Sequence, residues 1–360
     1  MFTTKQLLFG VASFIGGSSL FTVFVTQITF QDSWLSAFIG LAVSLLVTWM
    51  YVGLVRKFPR KGLLEIHTAV YGKWLGKGLN FLYILFCLGF SAVSLRNLGD
   101  FFTGYIRPQT PISVVLILFA ATCAFAAKKG ITSLLRLAFL FYVFMALALL
   151  MNILLLIPDM HFENFLPAFR QGLGAYAWGG YIVTAAPFCE IVVFLILLPY
   201  ADKDAEIGKG VFWGLILGAL HLIIVLVRDI AVLGTSIAFL TEPTYESVRL
   251  IHLIDIFSRL EIIFAFTLVT MRVFKLSVLF CATLRAVEDT IGKSFQKPGI
   301  CLIFLSGITV AVSILGFRTG MSLPEWFRHT GSYLFGVFEI LLPLVTLLCG
   351  ILRFRKRKET

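Results

Sequence analysis

From Gln6 to Gly350, apolar runs long enough to cross a bilayer succeed one another along this chain, joined by polar connections that are mostly short. A membrane helix needs about 20 apolar residues to cross roughly 30 Å of hydrocarbon. Only helices and closed barrels satisfy every backbone group in that medium, and continuous runs of this length are helical. The composition agrees: 59% of the 360 residues are hydrophobic and Phe alone occurs 37 times, too apolar for a soluble protein of this size. The chain is read as an all-α integral membrane protein, one polytopic membrane domain over residues 1–360. Lys5 precedes a long first run and no A-x-A-like cleavage site follows, so the first segment is read as a retained helix.

Ten transmembrane helices are expected, at about 6–28, 34–55, 79–102, 112–127, 134–157, 177–199, 209–228, 260–284, 300–317 and 332–352. Placing the N-terminus inside puts 20 of the 30 Lys and Arg residues on one side, including Arg56 to Lys61, Lys128, Lys129 and the Arg353 to Lys358 tail. That bias sets both termini in the cytoplasm, and an odd number of spans spoils it. The net charge of +11 therefore reports topology and contact with the anionic lipid bilayer, not a nucleic-acid partner. Residues 62–77 are too short and polar to span; Leu63, Leu64, Ile66, Val70, Trp74 and Leu75 are expected to share one side of a helix along the inner surface. The longest external stretch, Asp229 to Arg259, is expected to cover the outer mouth.

Within the first run, Gly16-Gly17-Ser18-Ser19 cannot hold a helix firmly, because glycine loosens the backbone and serine hydroxyls compete for its hydrogen bonds. Unwound backbone in a bilayer lines a cavity or is buried in protein, so this is a candidate small-molecule site; small residues also serve simply to let another helix approach. The sixth run repeats the signal. Pro187 removes a donor and clashes with the preceding turn, about ten residues into its helix, as Gly16 is in the first. Interrupted helices at corresponding places of two five-span halves, about 5–158 and 176–353, point to an inverted-repeat transporter fold.

The polar groups inside the spans are few. Backbone at the first break, with Ser18 and Ser19, suits a carboxylate at the start of one half-helix and an ammonium or sodium ion at the end of the other. Glu190, three residues after Pro187, is costly at such depth unless paired, protonated or facing water, which makes it a candidate proton or ion-coupling group or a partner for a ligand ammonium; the other reading is a helix-holding ion pair. Ser91 and Ser94 share a face of the third span, and Arg96 and Asp100, four apart, are expected to pair near its outer end. Arg272 and Lys275 lie within the eighth span, and no charged side chain is expected at the first break itself. His221 is read as a packing residue and Glu339 as structural. Six cysteines without C-x-x-C spacing are read as buried free thiols, and no metal or cofactor site is indicated. Nothing resembles a nucleophile elbow or a P-loop, so no catalytic residue is assigned and no enzyme is expected.

The first span, QLLFGVASFIGGSSLF, followed by DSWLS, resembles the spore germination permeases, the B subunits of GerA-type nutrient germinant receptors. FPRKGLLEIHTAVYGKWLGKGLNFLYILF, NFLPAFRQG leading to PFCEIVVFLILLPY, and RLEIIF, with its Arg259 and Glu261, extend the similarity over essentially the whole chain. The resemblance implies membership of the amino acid–polyamine–organocation superfamily, with a LeuT-like 5+5 inverted repeat of ten helices whose first and sixth are broken. It also implies a nutrient-sensing subunit working with an A subunit and a lipoprotein C subunit in the inner membrane of the spore. The pocket wall expected on this basis comprises Gly16, Gly17, Ser18, Ser91, Ser94, Thr184, Phe188 and Thr267, with Glu190 for coupling and a small nutrient, an amino acid, as ligand. In LeuT-like proteins the eighth helix often helps to bind sodium, and Thr267, Thr270 and Ser277 are its hydroxyl groups here. The other function readings are a proton-coupled amino acid secondary transporter acting through Glu190, and a scaffold with a vestigial pocket.

Overall fold

A computed structural model of the protein describes residues 1–18, 21–250, 260–317 and 322–355. Ser19, Arg259 and the Lys356 to Lys358 end of the basic tail, singled out above, lie outside them, and of Glu261 only the backbone is described. Helices in chain order are α1 (Thr4–Gly16), α2 (Phe21–Thr29), α3 (Ser33–Lys57), α4 (Leu63–Tyr71), α5 (Lys73–Phe101), α6 (Ile112–Lys128), α7 (Ile131–Leu156), α8 (Leu173–Val183), α9 (Val193–Ile196), α10 (Ile207–Leu233), α11 (Pro243–Arg249), α12 (Leu260–Ile291), α13 (Pro298–Gly316), α14 (Ser322–Trp326), α15 (Ser332–Gly336) and α16 (Leu342–Arg355). Within the described residues the expected segments coincide with helical stretches, the first and sixth of them interrupted. Among the described residues, eight helical stretches are long and apolar enough to cross a membrane; α6, at 17 residues, is apolar but shorter.

Both expected breaks are present, each for a local reason. α1 starts on a capping box, with Gln6 N–H donating to Thr3 Oγ1 and Thr3 N–H to Gln6 Oε1. It stops at Gly16, after which Gly17 and Ser18 N–H groups turn back onto Phe14 and Ile15 carbonyls. Close packing contributes as well: a Cβ on Gly17 would sit 2.8 Å from the Met271 carbonyl oxygen, so the glycine lets α12 press against the break. The two readings of the glycines are thus one structure. α8 opens at Thr184–Phe188, where Ala186 takes extended dihedrals (φ −149°, ψ 117°) ahead of Pro187; a tight turn at Cys189–Val192 then leads into α9.

The broken segments meet in the middle of the bundle. α1 packs chiefly on α10 and α7 with α12 behind it, α2 and α3 pack on α8, and the turn after the second break touches α1. A continuous apolar core fills the space between, with Phe14, Phe188, Phe194 and Phe280 buried in it. At its C-terminal end α10 runs past the expected span to Leu233 and keeps Arg228 and Asp229 buried. Asp229 accepts from Arg228 Nη2 at 2.5 Å, Thr244 Oγ1 at 2.6 Å and Ser247 Oγ at 2.8 Å, which ties α11 down over that end.

The connection over residues 62–77 departs from expectation. Gly72, at φ +86°, ends α4 and begins α5, so the proposed single amphipathic helix is two. Leu63, Leu64, Ile66 and Val70 are buried against the protein, whereas Trp74 and Leu75, in α5, are 90% and 69% exposed. α4 also buries His67, whose Nδ1 bonds Asn80 Oδ1 at 3.0 Å, and burial pushes its pKa from 6.5 down to about 4. At pH values above 6.5 the ring is neutral whether α4 is docked or not. As pH falls from 6.5 toward 4 only the undocked form takes up the proton, so docking of α4 is expected to weaken by about 3 kcal/mol across that window. Protection factors at the α4 amides, which correct the exchange rate for its intrinsic pH dependence, should therefore fall between pH 6.5 and 4 in the native protein and stay flat in His67→Gln.

Candidate functional site

Where α1 ends, its last carbonyls face the interior with the negative end of the helix dipole. α12 brings a cation to that point. Lys275 Nζ donates to Ser18 Oγ at 2.5 Å and to Glu190 Oε2 at 2.6 Å, and Ser18 Oγ donates to the same Glu190 oxygen at 3.1 Å. The ammonium also lies 5.2 Å and 5.0 Å from the ring centres of Phe14 and Phe90. Lys275 and Glu190 are each only 4% exposed, so this is a desolvated pair closed by a hydroxyl and two aromatic rings. The expectation of no charged group at the first break is corrected here. Lys275 comes from 257 positions away in the chain, across the surface that Gly17 leaves open.

The second break sets the carboxylate. With the chain extended at Ala186 and turned again at Cys189–Val192, Glu190 points back toward Ser18 rather than along a continuous helix. Tyr51 supports this turn from α3, its hydroxyl 3.4 Å from the Cys189 carbonyl and donating to the Glu339 carbonyl at 2.5 Å.

A cavity of about 50 Å³ opens beside the pair. Its polar wall is Ser18, Ser94, Asn97, Glu190, Arg272 and Lys275; its apolar wall includes Phe24, Phe90, Phe327 and Phe335. Above it, Arg272 Nη2 donates to both carboxylate oxygens of Glu242, at 2.9 and 3.1 Å, with the guanidinium 4.6 Å from the Phe101 ring centre. Beyond that pair lies an outer cavity of about 570 Å³ bordered by Asp100, Phe101, Tyr105 and Glu242, and Asn97 borders both spaces. The Arg272–Glu242 pair therefore stands between the central cavity and the outer one. Glu242 belongs to the Asp229 to Arg259 stretch and borders the larger cavity.

Of the expected pocket residues, Gly17, Ser18, Ser94 and Glu190 line the central cavity. Gly16 and Thr267 border a different space of about 40 Å³ behind the first break, with Met145, His221, Phe264 and Met271. Ser91 donates to its own helix at Cys87, Thr184 bonds the Gly180 and Gly40 carbonyls, and Phe188 is buried in the core. Arg96 and Asp100 pair at 2.8 Å as expected. The residues missed from the cavity include Arg272, Lys275, Asn97 and the four phenylalanines. The signal for the first two was present: two cations three apart share a face of an otherwise apolar helix, and intramembrane cations face the bundle interior.

The family model described as spore germination protein matches residues 1–319. Spore germination protein KB of Bacillus subtilis (strain 168) is 24% identical over 364 residues, covering 99% of this chain and 96% of that protein. Spore germination protein B2 of the same organism is 21% identical over 258 residues, 71% of this chain and 69% of that protein. Among solved structures, Mhp1, a nucleobase-cation-symport-1 family transporter in a closed conformation with bromovinylhydantoin bound, aligns over 96% of this chain and 77% of its own with a TM-score of 0.63 at 12% identity. At that identity the likeness is one of fold, and it agrees with the LeuT-like arrangement of broken helices expected from the sequence.

Proposed function

The chain belongs to the spore germination protein family, and on that premise we propose that it is the membrane-embedded B subunit of a spore nutrient germinant receptor. The observation that carries the reading is the cavity at the meeting of the two broken helices, with Ser18, Glu190 and Lys275 on its wall. The ligand is a small nutrient, an amino acid in its zwitterionic form. Its carboxylate is matched by Lys275 and Ser18 and its ammonium by Glu190, so it competes with the ion pair that holds the breaks together. At about 50 Å³ the cavity is only a few water volumes, which suits a small ligand or one that pushes the Phe24–Phe327 stack apart.

Binding that opens the Lys275–Glu190 pair stabilises a different arrangement of the helices, and a ligand shifts such an equilibrium only through its differential affinity for the two states. The A and C subunits read that difference. The protein sits in the inner membrane of the spore with both termini in the cytoplasm, a reading supported by the 20 basic residues on one side. A second reading, a proton-coupled amino acid secondary transporter working through Glu190, is favoured by the carboxylate's place on the cavity wall in a transporter-like fold.

Release of dipicolinate from spores of the source strain, with and without this gene, tests the receptor reading across a panel of amino acids and sugars. The expected result is loss of the response to one nutrient in the deletion. Unchanged germination on every nutrient, with other receptors removed, would shift the assignment to the transporter, whose signature is net uptake into vesicles by the isolated subunit.

A further inference from the structure

Glu339 lies between α15 and α16, where the backbone widens into a five-residue turn, Val337–Leu341. It is 0% exposed, and neither of its carboxyl oxygens has a hydrogen-bond partner among the described residues. The hydroxyls around it are committed to backbone carbonyls. Tyr51 donates to Glu339's own carbonyl oxygen at 2.5 Å, Tyr83 to that of Phe338 at 2.7 Å and Tyr181 to that of Ser332 at 2.9 Å. The Val337–Leu341 turn nevertheless packs on the Cys189–Val192 turn that carries Glu190, which sets the Glu339 carboxyl within electrostatic range of Glu190 and Lys275.

One ammonium thus serves two buried carboxyl groups. An ionised carboxylate held in the interior without a counter-charge costs several kcal/mol, so both groups cannot be ionised together. The hydrogen bonds tell them apart: Glu190 accepts from both Lys275 and Ser18, whereas Glu339 accepts from none of the described residues.

We propose that Glu339 is a proton-carrying site coupled to the central ion pair. It holds a proton while Lys275 is engaged by Glu190, and it gives that proton up to Glu190 when the pair opens. In the exchange the O–H bond on Glu339 breaks and an O–H bond forms on Glu190; Lys275 stays an ammonium and becomes the counter-ion of the Glu339 carboxylate. One positive and one negative charge are present before and after, so no external ion is required. The Tyr51 hydroxyl, between the Glu339 and Cys189 carbonyls, bridges the two segments between which the proton passes. The exchange lets the pair open without stranding a charge before a ligand has entered; a zwitterion that then brings its carboxylate to Lys275 and its ammonium to Glu190 returns the proton to Glu339.

Infrared spectra of the purified full-length protein at neutral pH, read in the carbonyl stretch of protonated carboxylic acids and its shift in deuterium oxide, test this without a nutrient. Relative to the native protein, Glu339→Gln is expected to lose one carboxylic-acid equivalent. Glu190→Gln should also lose one, because Lys275 then ionises Glu339. Lys275→Met should gain one, because Glu190 is then protonated as well. A native spectrum indistinguishable from Glu339→Gln overturns the proposal, as does a Glu190→Gln spectrum that retains the band. Should Glu190→Gln not elute as a monodisperse protein, the Lys275→Met spectrum decides, and no gain there is equally fatal.

Discussion

Lys275→Met is expected to abolish the nutrient response and to lower the stability of the solubilised protein by about 3 kcal/mol, read as a fall in its thermal unfolding midpoint in detergent. Removing one partner of a buried pair strands the other, a loss of about 3–5 kcal/mol. The low end applies here because Glu190 escapes part of that cost by taking a proton. The pair also carries packing. Lys275 stacks its ammonium against Phe14 and Phe90 and bonds Ser18, so its loss frees the end of α1 from α12. The double variant Glu190→Gln/Lys275→Met should recover much of the stability but none of the response, since no charge is then stranded and none is available to the ligand. Strictly additive losses in the single and double variants would show that the two side chains do not act as a pair.

Gly17→Val is expected to abolish the response while the protein remains in the membrane. A Cβ at position 17 meets the Met271 carbonyl oxygen at 2.8 Å, the Lys275 Cβ at 3.0 Å and the Met271 carbonyl carbon at 3.3 Å. These are mostly backbone atoms or atoms bound directly to backbone, which cannot rotate aside, so α12 must move away from the break. Overpacking of this kind costs about 1–3 kcal/mol, too little to unfold the chain but enough to pull Lys275 off Ser18 and Glu190. Gly78→Ala supplies the control, because a Cβ there meets nothing within 4 Å and alanine is the better helix former. Dipicolinate release from spores carrying each variant, alongside immunodetection in the membrane fraction, separates the two cases; a normal response in Gly17→Val would remove the first break from the site.

The two breaks were legible because they are local. Gly16 to Ser18 and Pro187 act on the hydrogen bonds of their own turns, and the structure opens at both places. Glu190 was legible too, since a carboxylate in an apolar run demands a partner wherever it points. The partner's identity was not. Lys275 stands 85 positions from Glu190, and its side chain meets the carboxylate only because α12 is rotated to present it and because Gly17 removes the Cβ that would block the approach. Thr267, on the same helix, faces the opposite side of the break for the same reason, and Gly16 goes with it. The split of residues 62–77 into α4 and α5 turned on the positive φ of Gly72, which an apolar stripe running across it concealed.

Hydropathy and turn chemistry act over a few to about twenty neighbouring residues, and on that scale the chain by itself determined its class, the positions of its helices and the two places where they open. The arrangement that matters for chemistry acts over a few ångströms between residues far apart in sequence. Which faces of α5, α12 and the α15–α16 segment turn inward is decided by packing of all the helices at once, and only that packing puts Ser18, Glu190 and Lys275 in one hydrogen-bonded group. It also leaves Glu339 buried within the field of the same lysine, and sets Arg272 against Glu242 between the central and outer cavities, because a charge in a low-dielectric interior is tolerated only where the tertiary structure brings it a counter-charge or a proton.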